Sequence, residues 1–284
     1  MTLRRFVYLL FALALSVLAA IGGAWFATDG GRMDRMFFPE TEAWAIWEAH
    51  DPDDTRQFDF SIWDDFLRRR APDGRVDWIA VSPADRAALD GWIDSLRDIG
   101  LAGYNRDEQR ALWINLYNAL IVRVVLEHDV PDTVLDIRVS ANPLEPGPWG
   151  APLAIVDGEA VSPDDIAHRI LRPIHGDPRL HYVLWCGAVG CADLPGRALT
   201  GADGEAMLDA AARAFVNDPG RVRVEEGELI VSSLYVWYRE DFGEDDEDII
   251  AHIEAWGGPG LDAALARVWQ IDRHEFDWSL RGEE

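Results

Sequence analysis

The stretch DEQRALWINLYNALIVRVVLEHD, residues 107–129, decides the fold. Its side chains are apolar almost without a break from Ala111 to Leu126, so it keeps no polar stripe for water, and a helix apolar all round is a buried one. Asn105 stands where it caps this helix, and Asp107 and Glu108 sit at the positive end of its dipole. Two amides interrupt the apolar run. Asn115 and Asn118 are three apart and share one face. A buried amide left unpaired costs about 1–3 kcal/mol, so both need partners. Either they tie the helix to neighbouring loops or they take part in a site.

Upstream, FDFSIWDDFLRRR (58–70) sets Phe60, Trp63, Phe66 and Leu67 at helical spacing, and the turn Pro72–Gly74 ends that helix. RVDWIAV (75–81) reads as a short strand or extended run. PADRAALDGWIDSLRDIGL (83–101) forms a second amphipathic helix with Leu89, Trp92, Ile93 and Leu96 on one side. Downstream, Pro131–Gly150 is rich in Pro, Asp and Asn and reads as a long loop at the surface or over a site. PLAIVDGEAV (152–161) is a hairpin signal. SPDDIAHRILRPI (162–174) starts a helix with the Ser162/Asp165 spacing of a capping box, and His168 lies in its middle. LHYVLWCG (180–187) reads as a buried strand, GEAMLDAAARAFVND (204–218) as a helix, and RVRVEEGELIVSS (221–233) as a second hairpin turning at Glu226 and Gly227. The acidic EDDEDIIAHIEAW (244–256) lacks the Gly and the spaced ligands of an EF-hand and reads as a solvated helix start. LDAALARVW (261–269) is the last helix.

The expected fold class is therefore α+β. N-terminal helices and a central buried helix pack on a mostly antiparallel sheet, built from two hairpins and the strand His181–Trp185. The polar face of the central helix is expected to meet the cysteine loop. No internal repeat or low-complexity linker divides the chain, so residues 57–284 read as one domain, joined by a link at 30–56 to a separate N-terminal segment.

In that segment Arg4 and Arg5 precede an uncharged run from Phe6 to Ala27. A charged start and a long apolar stretch make residues 1–29 a membrane-targeting segment, either a cleaved signal peptide or an uncleaved anchor. Both place the remainder outside the cytoplasm, in the periplasm or on the periplasmic face of the inner membrane, because positive charge stays inside. The membrane is then a partner if the segment is uncleaved.

The chain has 284 residues and a net charge of −25, which repels phosphate backbones and argues against nucleic acid as a partner. All 26 basic residues are Arg. Without Lys there is no Schiff-base chemistry, P-loop or lysine base. The two cysteines, Cys186 and Cys191, form in an oxidising compartment either a small-loop disulfide or a nucleophile with a partner. They are too few to make a metal site without help from His168 or His181. Neither a metal nor a cofactor is expected.

The blocks LWINLYNALIVRVVL (112–126), SPDDIAHRILR (162–172), DPRLHYVLWCGAVGC (177–191) and SSLYVWYREDFG (232–243), with the first hairpin, stand in an order that resembles the bacterial family named domain of unknown function 547. The resemblance covers about 58–245, including Gly74–Asp77. It implies signature positions at Asn115, Asn118, Asp165, His168, His181, Cys186 and Cys191, with Trp237, Tyr238 and Phe242 in the late aromatic block. The chain departs from the family at Ala192, where Pro is usual, and at Trp185, where Asn or a small residue is usual. The family's name carries no reaction.

Three functions fit these residues. The first is an exported binding or accessory module, in which Cys186–Cys191 is a disulfide. Asn115, Asn118, His168 and His181, with Trp237 and Tyr238, then line a pocket for a small molecule, a peptide or an envelope protein. The second is a thiol-dependent hydrolase or acyl transferase with Cys186 as nucleophile, His168 as base and Asp165 as its orienting group. On a strand, His181 falls on the face opposite Cys186, which favours His168 as the base. The third is a metal-dependent enzyme using His168, His181 and a carboxylate.

Overall fold

A helix without a polar face has to be enclosed, and the computed structural model, which describes residues 42–141 and 146–280, encloses it on all sides. Helices α1 (Ser61–Arg70) and α2 (Pro83–Asp94) lead to the long α3 (Arg106–Glu127), where every residue from Glu108 to Leu126 except Arg123 is buried. Asn105 caps α3 as expected, its Oδ1 accepting from the amides of Asp107 and Glu108 at 3.1 and 3.0 Å. Ser82 and Asp85 close a capping box at the start of α2. The buried Asp85 carboxylate also pairs with Arg69 and Arg70 at 2.9 Å each, which locks α1 to α2. Burial opposes ionisation of Asp85, and the Ser82 and arginine hydrogen bonds outweigh it, holding its pKa well below the ordinary carboxylate range.

Two short hairpin strands, β1 (Ala154–Val156) and β2 (Glu159–Val161), pair around Asp157 and Gly158. Both turn residues have positive φ, 45° and 85°, the geometry that matches the twist of a tight hairpin. A π-helical stretch, Asp165–Leu171, runs into the one-turn α4 (Arg172–His175), and a 3₁₀ turn follows at Pro178–Tyr182. Helix α5 (Gly204–Val216) precedes the second hairpin, β3 (Val222–Glu225) and β4 (Glu228–Ser232), with Glu226 and Gly227 at φ 54° and 90°. The short α6 (Leu234–Trp237) and α7 (Arg239–Phe242) lead to α8 (Asp246–Trp256) and α9 (Pro259–Leu265). The acidic run does start a helix, with Asp245 capping α8 through the amides of Glu247 and Asp248. A last strand, β5 (Arg273–Glu275), adds to β4 in parallel.

The mixture of helices and small sheets agrees with the expected class, but the arrangement of the sheet does not. Residues 181–185 are not a strand. His181 and Tyr182 finish the 3₁₀ turn and the chain from Val183 to Cys186 is irregular, so the two hairpins belong to separate sheets of two and three strands. Nor do residues 75–81 make a strand, since Trp78–Ala80 is a 3₁₀ turn capped by Asp77. The apolar run 180–185 is buried because it lies against α3, and burial on all sides gives one sequence pattern to strand and coil alike. The targeting segment expected at 1–29 lies outside the described residues. Among the described residues no helix is long and apolar enough to cross a membrane.

The irregular segments are held by the α3 amides. Asn118 Nδ2 donates to the Val183 carbonyl and its Oδ1 accepts from the Trp185 amide, both at 2.8 Å. Asn115 repeats the arrangement three residues earlier, donating to the Leu199 carbonyl at 2.8 Å and accepting from the Leu199 amide at 3.1 Å. Each side chain supplies the donor and acceptor that a neighbouring strand would have offered. Gly187, at φ 93°, then passes so close to α3 that a Cβ would stand 3.1 Å from Ile121 and 2.8 Å from Val134. The polar face of α3 therefore does meet the chain that enters the cysteine loop.

Replacing Asn118 by Ala strands one buried carbonyl and one buried amide at about 1–3 kcal/mol each. Urea unfolding followed by tryptophan fluorescence should show a loss of about 2–5 kcal/mol for Asn118→Ala. A loss below about 1 kcal/mol would mean that this clamp holds nothing.

Candidate functional site

The polar groups nominated by the sequence separate into three places. Asn115 and Asn118 are engaged with backbone, in the tying role described above. Asp165 closes the capping box with Ser162, accepting from its hydroxyl at 2.7 Å and its amide at 3.0 Å, and pairs outward with Arg169 at 2.8 Å. Its contacts are therefore Ser162 and Arg169, and the groups that orient His168 are others. Cys186 and Cys191 form a disulfide with Cα atoms 5.7 Å apart. The Cys186 carbonyl accepts from the Trp149 indole at 3.0 Å. The amides of Val189 and Gly190 donate to the carbonyls of Ser279 and Asp277 at 2.8 Å, which lays the C-terminal chain along the disulfide loop.

The third place is a buried cluster that brings together His168, His181 and Tyr238. His168 projects from the π-helical stretch, a rare backbone form that recurs at functional sites. Arg172 Nη1 donates to His168 Nδ1 at 3.0 Å. Since a guanidinium only donates, Nδ1 accepts, and the ring proton sits on Nε2, which faces the Asp164 carboxylate at 3.8 Å. His181 Nε2 donates to Asp241 Oδ2 at 2.6 Å. Arg172 spans the two histidines, with Nε on Asp241 at 2.5 Å and Nη2 on Glu240 at 3.0 Å. The Tyr238 ring stacks on His181 at 4.5 Å and on His168 at 5.6 Å, under the Arg172 guanidinium at 4.9 Å. Trp237 points elsewhere, into an aromatic group with Phe276 and Trp278.

Burial, with the positive charge of Arg172 beside it, pushes the His168 pKa down to about 3. Burial also lowers that of His181, against the pull of Asp241. Burial works to raise the Asp241 carboxyl, but the hydrogen bonds from His181 and Arg172 outweigh it and hold the pKa at about 2. The cluster at neutral pH is thus two neutral imidazoles, one guanidinium and the ionised Asp241 carboxylate. Tyr238, raised above its ordinary range mainly by burial, stays protonated. The His181–Asp241 pair has the form of an oriented imidazole, while His168 near pKa 3 is far too weak a base to deprotonate a thiol at neutral pH.

Arg172 and Asp241 did not enter the sequence reading. Arg172 was visible as the residue one helical turn after His168, and Asp241 as part of the Tyr-Arg-Glu-Asp-Phe block. That they meet 69 residues apart depends on how the π-helical stretch and α7 pack.

Because both histidines titrate lower folded than unfolded, the unfolded chain binds more protons just below pH 6.5, and stability must fall as the pH drops below that value. The Asp241 contribution, from a lowered carboxyl, is lost only at still lower pH, between about 4 and 2. Each histidine contributes up to about 1.4 kcal/mol per pH unit. Urea midpoints measured from pH 7.5 to 5 should fall steadily, and His168→Asn, which keeps an acceptor for Arg172, should flatten the slope by about one proton. A flat wild-type profile would contradict the neutral buried cluster.

Residues 101–216 match the family described as protein of unknown function, DUF547. No curated protein and no solved structure matches the chain. The matched span holds α3 from end to end, the first hairpin, His168, Arg172, His181, both cysteines and α5, whereas Tyr238 and Asp241 complete the cluster from beyond it. Residues 101–216 are thus similar to the DUF547 family, the one that the sequence blocks resemble.

Proposed function

We propose that the chain is an exported module of the cell envelope that binds a small molecule, a peptide or an envelope protein, and that it performs no thiol chemistry. The observation that carries this reading is the pairing of Cys186 with Cys191 at disulfide distance, which leaves no thiolate to attack a substrate. Three further facts support it. Asn115 and Asn118 are engaged with backbone, Asp165 with its own capping box, and His168 is held neutral by burial and Arg172. A disulfide suits an oxidising compartment, and residues 1–29, with Arg4 and Arg5 before an apolar run, suit delivery to the periplasm or to the periplasmic face of the inner membrane.

A thiol-dependent hydrolase would need Cys186 reduced and a basic imidazole beside it, whereas Cys186 is paired with Cys191 and the nitrogens of the cluster histidines face Arg172, Asp164 and Asp241. Among the described residues no group of three His, Cys, Asp or Glu side chains is placed to hold a metal ion, so nothing favours the metal-dependent reading.

Alkylation of the native protein with and without reductant, read by mass spectrometry, tests the proposal. Neither cysteine should label until reduced. The variant Cys186→Ser with Cys191→Ser should keep its fold and lose about 2–3 kcal/mol of stability, in keeping with closure of a short loop. Labelling of both thiols without reductant, with Cys186 the faster near neutral pH, would overturn the binding reading in favour of the nucleophile.

A further inference from the structure

The clamps on α3 fix the chain on both sides of the cysteines and leave the stretch between them to the disulfide. Before the loop, Asn118 holds Val183 and Trp185. After it, the Leu194 amide donates to the Gly74 carbonyl at 3.2 Å, and Asn115 holds Leu199. Between Cys186 and Cys191 the loop turns back on itself, the Cys191 amide donating to the Ala188 carbonyl at 3.2 Å, while the amides of Val189 and Gly190 point outward.

What they hold is the C-terminal chain. They donate to the carbonyls of Ser279 and Asp277 at 2.8 Å. Gly190 allows the close approach, since a Cβ there would stand 2.8 Å from the Asp277 nitrogen and from the Phe276 ring. Further along, the Leu280 amide donates to the Asp132 carbonyl at 2.9 Å, and the Thr133 hydroxyl donates to the Trp278 carbonyl at 2.8 Å. Phe276 packs on Trp237 at 4.6 Å and Trp278 on Trp149 at 5.8 Å. Residues 276–280 are therefore a strap, anchored upstream where β5 joins β4 and fastened along its length by the disulfide loop. The two cysteines differ in access. Cys191 is 2% exposed, whereas Cys186 is half-buried, which makes Cys186 the end at which thiol–disulfide exchange can start.

We infer that Cys186–Cys191 is a redox latch, which a dithiol reductant opens so that the strap 276–280 lifts from the loop while the rest of the fold stays in place. A thiolate of the reductant attacks Cys186 Sγ, the S–S bond breaks, and Cys191 leaves as a thiolate that takes up a proton. The second thiol of the reductant then displaces Cys186, so the reductant ends as a disulfide and the loop holds two thiols. Freed of its cross-link, the stretch between Trp185 and Leu194 loses the shape that aims the Val189 and Gly190 amides, and the strap loses two donors. Phe276 and Trp278 then part from Trp237 and Trp149, and the reduced protein presents aromatic surface that the oxidised one keeps packed. The latch rests on the disulfide of the binding-module reading and adds to it a switch on what that module presents.

The test is amide hydrogen exchange of the full-length protein, followed by NMR before and after dithiothreitol, with thiols counted by alkylation on the same sample. On reduction the amides of Val189, Gly190 and Leu280 should exchange about tenfold faster, a local opening. Those of Trp185 and Leu199, held by Asn118 and Asn115, should keep their rates. Gly190→Ala, whose Cβ meets the Asp277 nitrogen, should speed exchange at Leu280 with the disulfide intact. Unchanged exchange at Leu280 on reduction or in Gly190→Ala, acceleration that spreads equally to Trp185 and Leu199, or a disulfide that dithiothreitol cannot open in the folded protein would overturn the latch. If the cysteines start oxidised and the strap stays in place, only the latch is refuted and the binding-module reading stands. If they are free before any reductant is added, that reading falls and the latch with it.

Discussion

The structure depends on two carboxamides inside an otherwise apolar helix. A chain that crosses the core without forming a strand carries backbone N–H and C=O groups that neither water nor a neighbouring strand satisfies, and each left bare costs about as much as several buried methylenes gain. Asn118 solves this for the segment 183–185 and Asn115 for residue 199, each offering one donor and one acceptor at the spacing a strand would present. A leucine at either position would fill the space and leave the loop unpaired. The position of the disulfide loop follows from these two clamps, because Val183 and Trp185 lead into Cys186 and Leu199 follows Cys191.

Arg172 plays the corresponding part in the polar cluster. Its guanidinium, with a side chain only 3% exposed, is the one fixed positive charge among the cluster's groups, and the surrounding groups arrange themselves by that fact. Asp241 stays ionised against it, Glu240 pairs with it, and the accepting nitrogen of His168 turns toward it. Protonation of either imidazole is opposed both by burial and by the nearby like charge. The π-helical stretch makes this possible, since its extra residue per turn shifts the face presented by His168 and Arg172 relative to an ordinary helix. His168 is thereby removed from acid–base service at neutral pH, which is the electrostatic side of the same conclusion that the disulfide reaches for Cys186.

Much of the fold was legible because periodicity and turn chemistry are local. The central helix with its Asn105 cap, the two helices before it, both hairpins with their Asp-Gly and Glu-Gly turns, and the Ser162/Asp165 capping box all follow from neighbours within a few residues of each other. The run Leu180–Trp185 misled because a segment buried on every side shows the same unbroken apolar pattern whether or not it is extended. With the strand went the single sheet, and with it the argument that alternation sets His181 against Cys186. The site was half legible in the same way. Residue types such as paired histidines and paired cysteines stand out in a sequence, whereas the partners that determine their protonation do not.

The sequence by itself determined that a wholly apolar helix would sit at the centre, that its two amides would need partners, that the hairpins would turn where they do, and that the chain would be strongly acidic with no lysine. These are statements about one residue's surroundings along the chain, where spacing and side-chain chemistry suffice. Only the tertiary structure decided that the amides would hold backbone, that Arg172 would join His168 to Asp241 across 69 residues, and that the C-terminal chain would lie along the disulfide loop. Those outcomes rest on which groups lose water together, and desolvation is a property of packing that no local pattern encodes.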